Sequence, residues 1–121
     1  MSDTPESDPS DALEVVTRFG DAWAAHDLEA CLALLTDDCL FDATGPAPDG
    51  ATATGPAEIR AAWQAIFDDA TSRFEPEETF AAGDRVVQRW RYDWGEGHVR
   101  GVDLFAVRDG RVSEKRSYVK G

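Results

Sequence analysis

Part-way along this chain the hydrophobic period changes, and that change restricts the folds open to it. Up to about residue 70 the apolar residues recur every three to four positions, and from residue 73 onward they alternate every second position. The first pattern is that of helices with one apolar face, the second that of strands in a sheet. Leu13, Val16, Phe19, Gly20 and Trp23 mark one face of a helix from Ser10 to about Ala25, with Ser10 as its N-cap and Asp11 in its first turn. Asp27 can cap a second, shorter helix whose apolar set is Leu28, Cys31, Leu32, Leu34 and Leu35, ended by Thr36-Asp37-Asp38. Cys39 to Ala43 reads as a short strand. Residues 44–56 hold three Gly and three Pro and read as loop. A third helix is expected from Pro56 to Ala70, with Ile59, Ala62, Trp63, Ile66 and Phe67 as its stripe.

Four alternating runs follow: Arg73–Ala82, Arg85–Trp94, His98–Arg108 and Arg111–Val119. Gly83-Asp84 and Asp109-Gly110 have the chemistry of tight hairpin turns, and Gly95-Glu96-Gly97 that of a longer one. Three helices, a short strand after the second, and a four-stranded antiparallel meander make an α+β plan. A curved sheet wrapped around the helices leaves a cone with a pocket inside.

Composition narrows what such a cone can do. The chain has 121 residues, enough for one domain but not for a second core. Its 24 acidic residues against 12 Lys and Arg give a formal charge of −12, which repels phosphate and disfavours nucleic acid and a cytoplasmic membrane leaflet as partners. Part of the acidity belongs to the Ser/Pro-rich start, so residues 1–10 are expected to be a disordered acidic leader and residues 11–121 the single domain. No apolar run approaches transmembrane length and residues 1–11 hold no signal-type apolar segment, so a cytoplasmic location is expected. Cys31 and Cys39 form no CxxC pair, and no His lies at metal-ligand spacing. Both read as small buried apolar residues, and neither a metal nor another cofactor is expected.

Two acids stand in apolar surroundings. Asp42 lies between Phe41 and Ala43, just before the Gly/Pro-rich loop. Asp103 interrupts Val99-Arg100-Gly101-Val102-Asp103-Leu104-Phe105-Ala106-Val107, where both Asp and Gly are disfavoured in a strand interior. A carboxyl aimed into an apolar pocket can serve as a general base or, protonated, as a hydrogen-bond donor. A solvated strand-end position for Asp42 and an ion pair with Arg89, Arg91 or Arg116 for Asp103 are the structural alternatives. Phe19, Trp23, Trp63, Trp90, Tyr92 and Phe105 are candidates to line the pocket, with core or interface packing as the alternative. The run around Asp103 is apolar on both faces, Val102, Leu104 and Ala106 on one and Phe105 and Val107 on the other. A sheet buried on both faces implies a homodimer through the sheet.

The order of elements resembles the nuclear transport factor 2-like cone fold, and within it the ketosteroid isomerase and SnoaL-like group. Three stretches carry the resemblance: Val15-Val16-Thr17-Arg18-Phe19 through Asp27-Leu28-Glu29-Ala30 to Leu34-Leu35-Thr36-Asp37-Asp38; Phe41-Asp42-Ala43-Thr44-Gly45-Pro46 followed by Thr54-Gly55-Pro56-Ala57-Glu58-Ile59-Arg60-Ala61-Ala62-Trp63; and Val102-Asp103-Leu104-Phe105-Ala106-Val107 with Asp109-Gly110-Arg111-Val112. The resemblance implies a small hydrophobic carbonyl compound as ligand, and proton abstraction alpha to its carbonyl without a cofactor. It puts Asp42 at the general-base position, Asp103 at the protonated acid of the oxyanion hole, and Trp63 at a ligand-lining aromatic. The tyrosine that completes the isomerase oxyanion hole corresponds to Phe19, which has no hydrogen to donate. Losing one such donor typically costs about 10²–10³ in rate, so Tyr92 or another donor must stand in. In SnoaL-type cyclases a single carboxylate near the Asp103 position is the base. A non-catalytic ligand-binding or dimerisation module of the same fold is the alternative function.

Overall fold

A computed structural model of the chain describes residues 9–120. Helix α1 spans Pro9–Ala24, α2 Leu28–Ala33 and α3 Gly55–Asp68. The strands are β1 (Leu35–Asp42), β2 (Thr52–Thr54), β3 (Arg73–Ala82), β4 (Arg85–Asp93), β5 (His98–Arg108) and β6 (Arg111–Val119). They form one curved, unclosed sheet in the order β2-β1-β6-β5-β4-β3, antiparallel everywhere except between β1 and β6. The α+β plan and the cone are as expected from the period change.

Each helix boundary has a local cause. α1 begins at Pro9, so Ser10 lies inside the first turn rather than capping it. A proline fits there because the first amides have no helical acceptor to lose. The expected leader before Pro9 lies outside the described residues. Asp27 caps α2 as its sequence suggests, accepting from the Ala30 amide at 3.1 Å. Glu58, in the first turn of α3, accepts from the Thr54 amide at 2.9 Å.

Two segments differ from the sequence reading. Leu35 opens β1 instead of closing α2, and Thr36-Asp37-Asp38, read as a helix stop, continue the strand. The reason is tertiary: the Val112 amide donates to the Leu34 carbonyl (2.7 Å), and Leu35 pairs with Val112 on β6. The Gly/Pro-rich stretch also contains a short strand, β2, that pairs with the end of β1. The four later strands fall where alternation puts them, β4 ending at Asp93. Asp109 and Gly110 both take positive φ (55° and 76°), as a tight hairpin turn requires.

The core lies between the helices and the concave face of the sheet. Val15, Val16 and Phe19 of α1, Ile59 and Trp63 of α3, and Val86, Phe105 and Val112 of the sheet are all buried. Phe19 packs edge-on against Trp63 and Phe105, with ring centres 5.8 and 5.7 Å away. Burying such rings contributes about 2–3 kcal/mol each. The expected thiol core positions are also buried: Cys31 and Cys39 are free and enclosed. No helix among the described residues is long and apolar enough to cross a membrane.

Candidate functional site

The helices do not fill the cone. A cavity of about 420 Å³ remains between α1, α3 and the sheet. Its walls are aromatic, with Phe19 and Trp23 from α1, Phe41 from β1, Phe74 from β3, and Trp90 and Tyr92 from β4. Polar side chains from the middle of the sheet, Gln88, Asp103, Lys115 and Ser117, face it, and Thr44 and Thr52 border it from the loop and β2.

Strand register brings those groups together. Asp103 on β5 lies opposite Gln88 on β4 and Ser117 on β6, and Lys115 is opposite Phe105. Asp103 Oδ2 lies 3.2 Å from Lys115 Nζ, and the two side chains are 3% and 8% exposed. Lys115 also donates to Ser117 Oγ at 3.0 Å. Its ammonium sits 4.9 Å from the Trp23 ring centre, 5.0 Å from Phe41 and 5.8 Å from Trp63. Three ring faces and one carboxylate therefore replace the water this cation has lost. Gln88 is anchored by its own bond to Thr79 Oγ1 (3.2 Å).

Two buried polar atoms on the cavity wall have no hydrogen-bond partner, Asp103 Oδ1 and the Trp90 indole N–H. An unpaired buried acceptor or donor costs about 1–3 kcal/mol, which a ligand supplying the missing partner would recover. The two unpartnered atoms are one acceptor (Asp103 Oδ1) and one neutral donor (the Trp90 N–H), and beside them stand the Lys115 cation and the side chains of Tyr92 and Ser117.

Of the residues singled out from sequence, Phe19, Trp23, Trp90, Tyr92 and Asp103 line the cavity. Trp63 and Phe105 do not reach it. Trp63 is fully buried behind Trp23 and Phe41, and Phe105 behind Phe19. Asp42 is not brought to the cavity either. On β1 the inward position belongs to Phe41, so the next side chain faces the other side of the sheet. There Asp42 pairs with Arg116 (3.2 Å) and borders a second, more polar depression with Asp49 and Tyr118. The two aspartates therefore lie on opposite faces of the sheet. Asp103 does form an ion pair, but with a lysine and not with the arginines considered from sequence.

Lys115 is the residue that sequence reasoning missed. Counting by twos from buried Val112 puts Lys115 on the solvent face. The sheet breaks that count: Val112 pairs with Val107 but Glu114 with Ala106, leaving Ser113 as an extra residue on β6. The bulge reverses the alternation and turns Lys115 inward. One signal was available, since lysine is scarce in this chain. All the other cations except Lys120 are arginine.

Comparison with known proteins agrees with this architecture. The SnoaL-like domain family matches residues 16–115. The chain belongs to the SnoaL-like family. An NTF2-like protein of unknown function from Mesorhizobium loti shares 42% identity over 98% of each chain, with a TM-score of 0.87. A candidate ketosteroid isomerase from Kribbella flavida shares the fold at 17% identity, covering 95% of this chain and 82% of that one (TM-score 0.79). A candidate polyketide cyclase from Sinorhizobium meliloti does so at 22% identity, covering 91% and 98% (TM-score 0.74). No curated protein matches the chain in sequence. The two more distant structures speak for the SnoaL-like fold alone, since one such fold hosts many chemistries.

Proposed function

We propose that this SnoaL-like protein is a cofactor-free enzyme of the isomerase or cyclase kind, removing a proton alpha to the carbonyl of a small hydrophobic molecule. The observation that carries the reading is the buried Asp103–Lys115 pair at the polar centre of an aromatic cavity. Lys115 holds Asp103 Oδ2 and leaves Oδ1 unpartnered. A ligand carbonyl oxygen directed at the Lys115 ammonium or the Trp90 N–H puts the charge of the forming enolate beside a fixed donor. The adjacent α-hydrogen then falls to Asp103 Oδ1 as general base. A positioned base contributes about 10²–10⁴ in rate and a preorganised oxyanion donor about 10²–10³. In this scheme Lys115 takes the role that Phe19 cannot, and Asp42 takes none, because it faces away from the ligand.

The outer face of the sheet supports the homodimer. Phe80 and Tyr118 are exposed there, beside half-buried Val87, Val102 and Leu104. A second copy covering this face would bury them, and light scattering at micromolar concentration should give twice the monomer mass. Free, buried thiols suit the reducing cytoplasm as its compartment.

The enzymatic reading is tested by following α-hydrogen exchange of 2-tetralone, a bicyclic ketone, in deuterated buffer by NMR. The protein should accelerate exchange over buffer. Saturable binding of the ketone without acceleration would leave the cone as a ligand-binding module and overturn the enzymatic reading.

A further inference from the structure

Proton transfer uses Lys115 only as a charge, yet Lys115 is also a primary amine inside a cavity read as a carbonyl site. We infer that Lys115 Nζ captures an aldehyde or ketone ligand covalently as an imine, with Asp103 carrying the protons. This inference rests on the carbonyl reading of the cavity and adds to it a chemical class, the unhindered aldehydes and ketones that can form imines.

The first support is the choice of residue. The chain carries ten arginines and two lysines, and of the two lysines one is exposed at position 120 and the other buried in the cavity. If only a positive charge facing Asp103 were needed, a guanidinium would hold the carboxylate through two parallel bonds and stay charged. A lysine differs in one chemical respect, that it can give up a proton and become a nucleophile. The second support is geometry. Nζ borders the cavity, with a proton acceptor at 3.2 Å (Asp103 Oδ2) and a hydroxyl at 3.0 Å (Ser117 Oγ). The third is what surrounds the nitrogen. The Trp23, Phe41 and Trp63 rings stabilise a cation at that point, and an iminium is a cation at the same point.

The steps balance. The ammonium passes a proton to Asp103, leaving a neutral amine beside a carboxylic acid. The nitrogen lone pair forms a C–N bond to the carbonyl carbon, and Asp103 protonates the oxygen as its π bond breaks. Asp103 then removes a proton from nitrogen and delivers it to the hydroxyl of the carbinolamine. The C–O bond breaks, water leaves, and the C=N bond forms. The sum is ammonium plus carbonyl giving iminium plus water, with Asp103 again a carboxylate. One positive and one negative charge occupy the pair before and after, so the buried site never holds an uncompensated ion. Asp103 Oδ1 then faces the α-hydrogens of an iminium, which are far more acidic than those of the parent ketone.

Reductive trapping tests this on the whole protein. The chain is incubated with 2-tetralone or with cinnamaldehyde, cyanoborohydride is added, and the intact mass is measured. Tryptophan fluorescence follows binding in parallel, since Trp23 and Trp90 line the cavity. The expected result is one adduct weighing the ligand less its oxygen, mapped to the Lys115 peptide. It should be absent from Lys115→Arg, which keeps the charge, and slowed by about tenfold or more in Asp103→Asn. Saturable quenching with Lys115 unmodified, or an adduct found only on Lys120 or the N-terminal amine, would overturn the imine and leave the cavity reading standing. If neither probe quenches nor reacts, the carbonyl reading itself falls.

Discussion

Lys115 and Arg116 are consecutive residues on one strand, and each holds an aspartate at 3.2 Å, yet the two pairs live in different solvents. The inner pair, Asp103–Lys115, is 3% and 8% exposed and roofed by aromatic rings. The outer pair, Asp42–Arg116, is 22% and 35% exposed, and its arginine is shared with Glu114. Access to water decides where chemistry can reside on this sheet. A charge that water can reach gains little from its partner and is screened by salt. A charge sealed in an apolar cavity is costly, and its reactivity is set by the one group beside it. In the single protomer the outer face carries further pairs that water reaches, Arg89 with Glu77 and Glu78, Arg100 with Glu77, and Arg85 with Glu114, around the apolar patch of Val87, Val102 and Leu104. The concave face has the single pair Asp103–Lys115 among the described residues.

Breaking each pair should expose the contrast most strongly. Asp103→Asn strands the Lys115 ammonium in the cavity and should cost about 3–5 kcal/mol in urea unfolding, whereas the double variant Asp103→Leu/Lys115→Met should recover most of that loss. Asp42→Asn should cost about 1 kcal/mol or less. That small cost should vanish in about 1 M salt, where the screening length is about 3 Å, while the Asp103→Asn cost persists. Equal costs for the two aspartates would refute the contrast.

A second variant probes the wall of the inner site without touching a charge. A Cβ on Gly101 would lie 2.4 Å from the Tyr118 carbonyl oxygen and 2.6 Å from Trp90 Cζ2. Gly101→Ala should therefore displace the Trp90 ring, cost about 1–3 kcal/mol and weaken binding of an apolar ketone in a fluorescence titration. Wild-type stability and affinity would show that the close approach is not needed.

The smallest effect concerns the thiols. Burial pushes Cys31 and Cys39 up to about 12, so neither forms thiolate near neutral pH in the folded chain. Once unfolded, the same thiols ionise near 9, so the unfolded state loses protons first. Stability should fall as pH rises from about 9 toward 12, and should not depend on these groups below that range. Alkylation by iodoacetamide near neutral pH should require denaturant; prompt labelling of the native protein would contradict the burial.

The sheet strands β3 to β6 were legible in the sequence because alternation and turn chemistry agree there. β1 was legible only in its second half, since its start is fixed by a parallel pairing with β6, more than seventy residues away in the chain. The site was half legible. Asp103 stands out because an acid in an apolar run needs a reason. Asp42 stands out by the same argument, and only the side of the strand it occupies separates the two. That side is decided by whether Phe41 or Asp42 packs on Trp63, a tertiary fact. Lys115 was hidden by one extra residue at Ser113, since a single bulge flips every later side chain.

The most direct test compares the two aspartates in function. α-Hydrogen exchange of 2-tetralone is measured for wild type, Asp42→Asn and Asp103→Asn, each confirmed as folded by circular dichroism. Asp42→Asn should keep the wild-type rate, and Asp103→Asn should lose about 10²-fold or more. Loss of exchange in Asp42→Asn with exchange preserved in Asp103→Asn would contradict the assignment of the inner pair as the reactive centre.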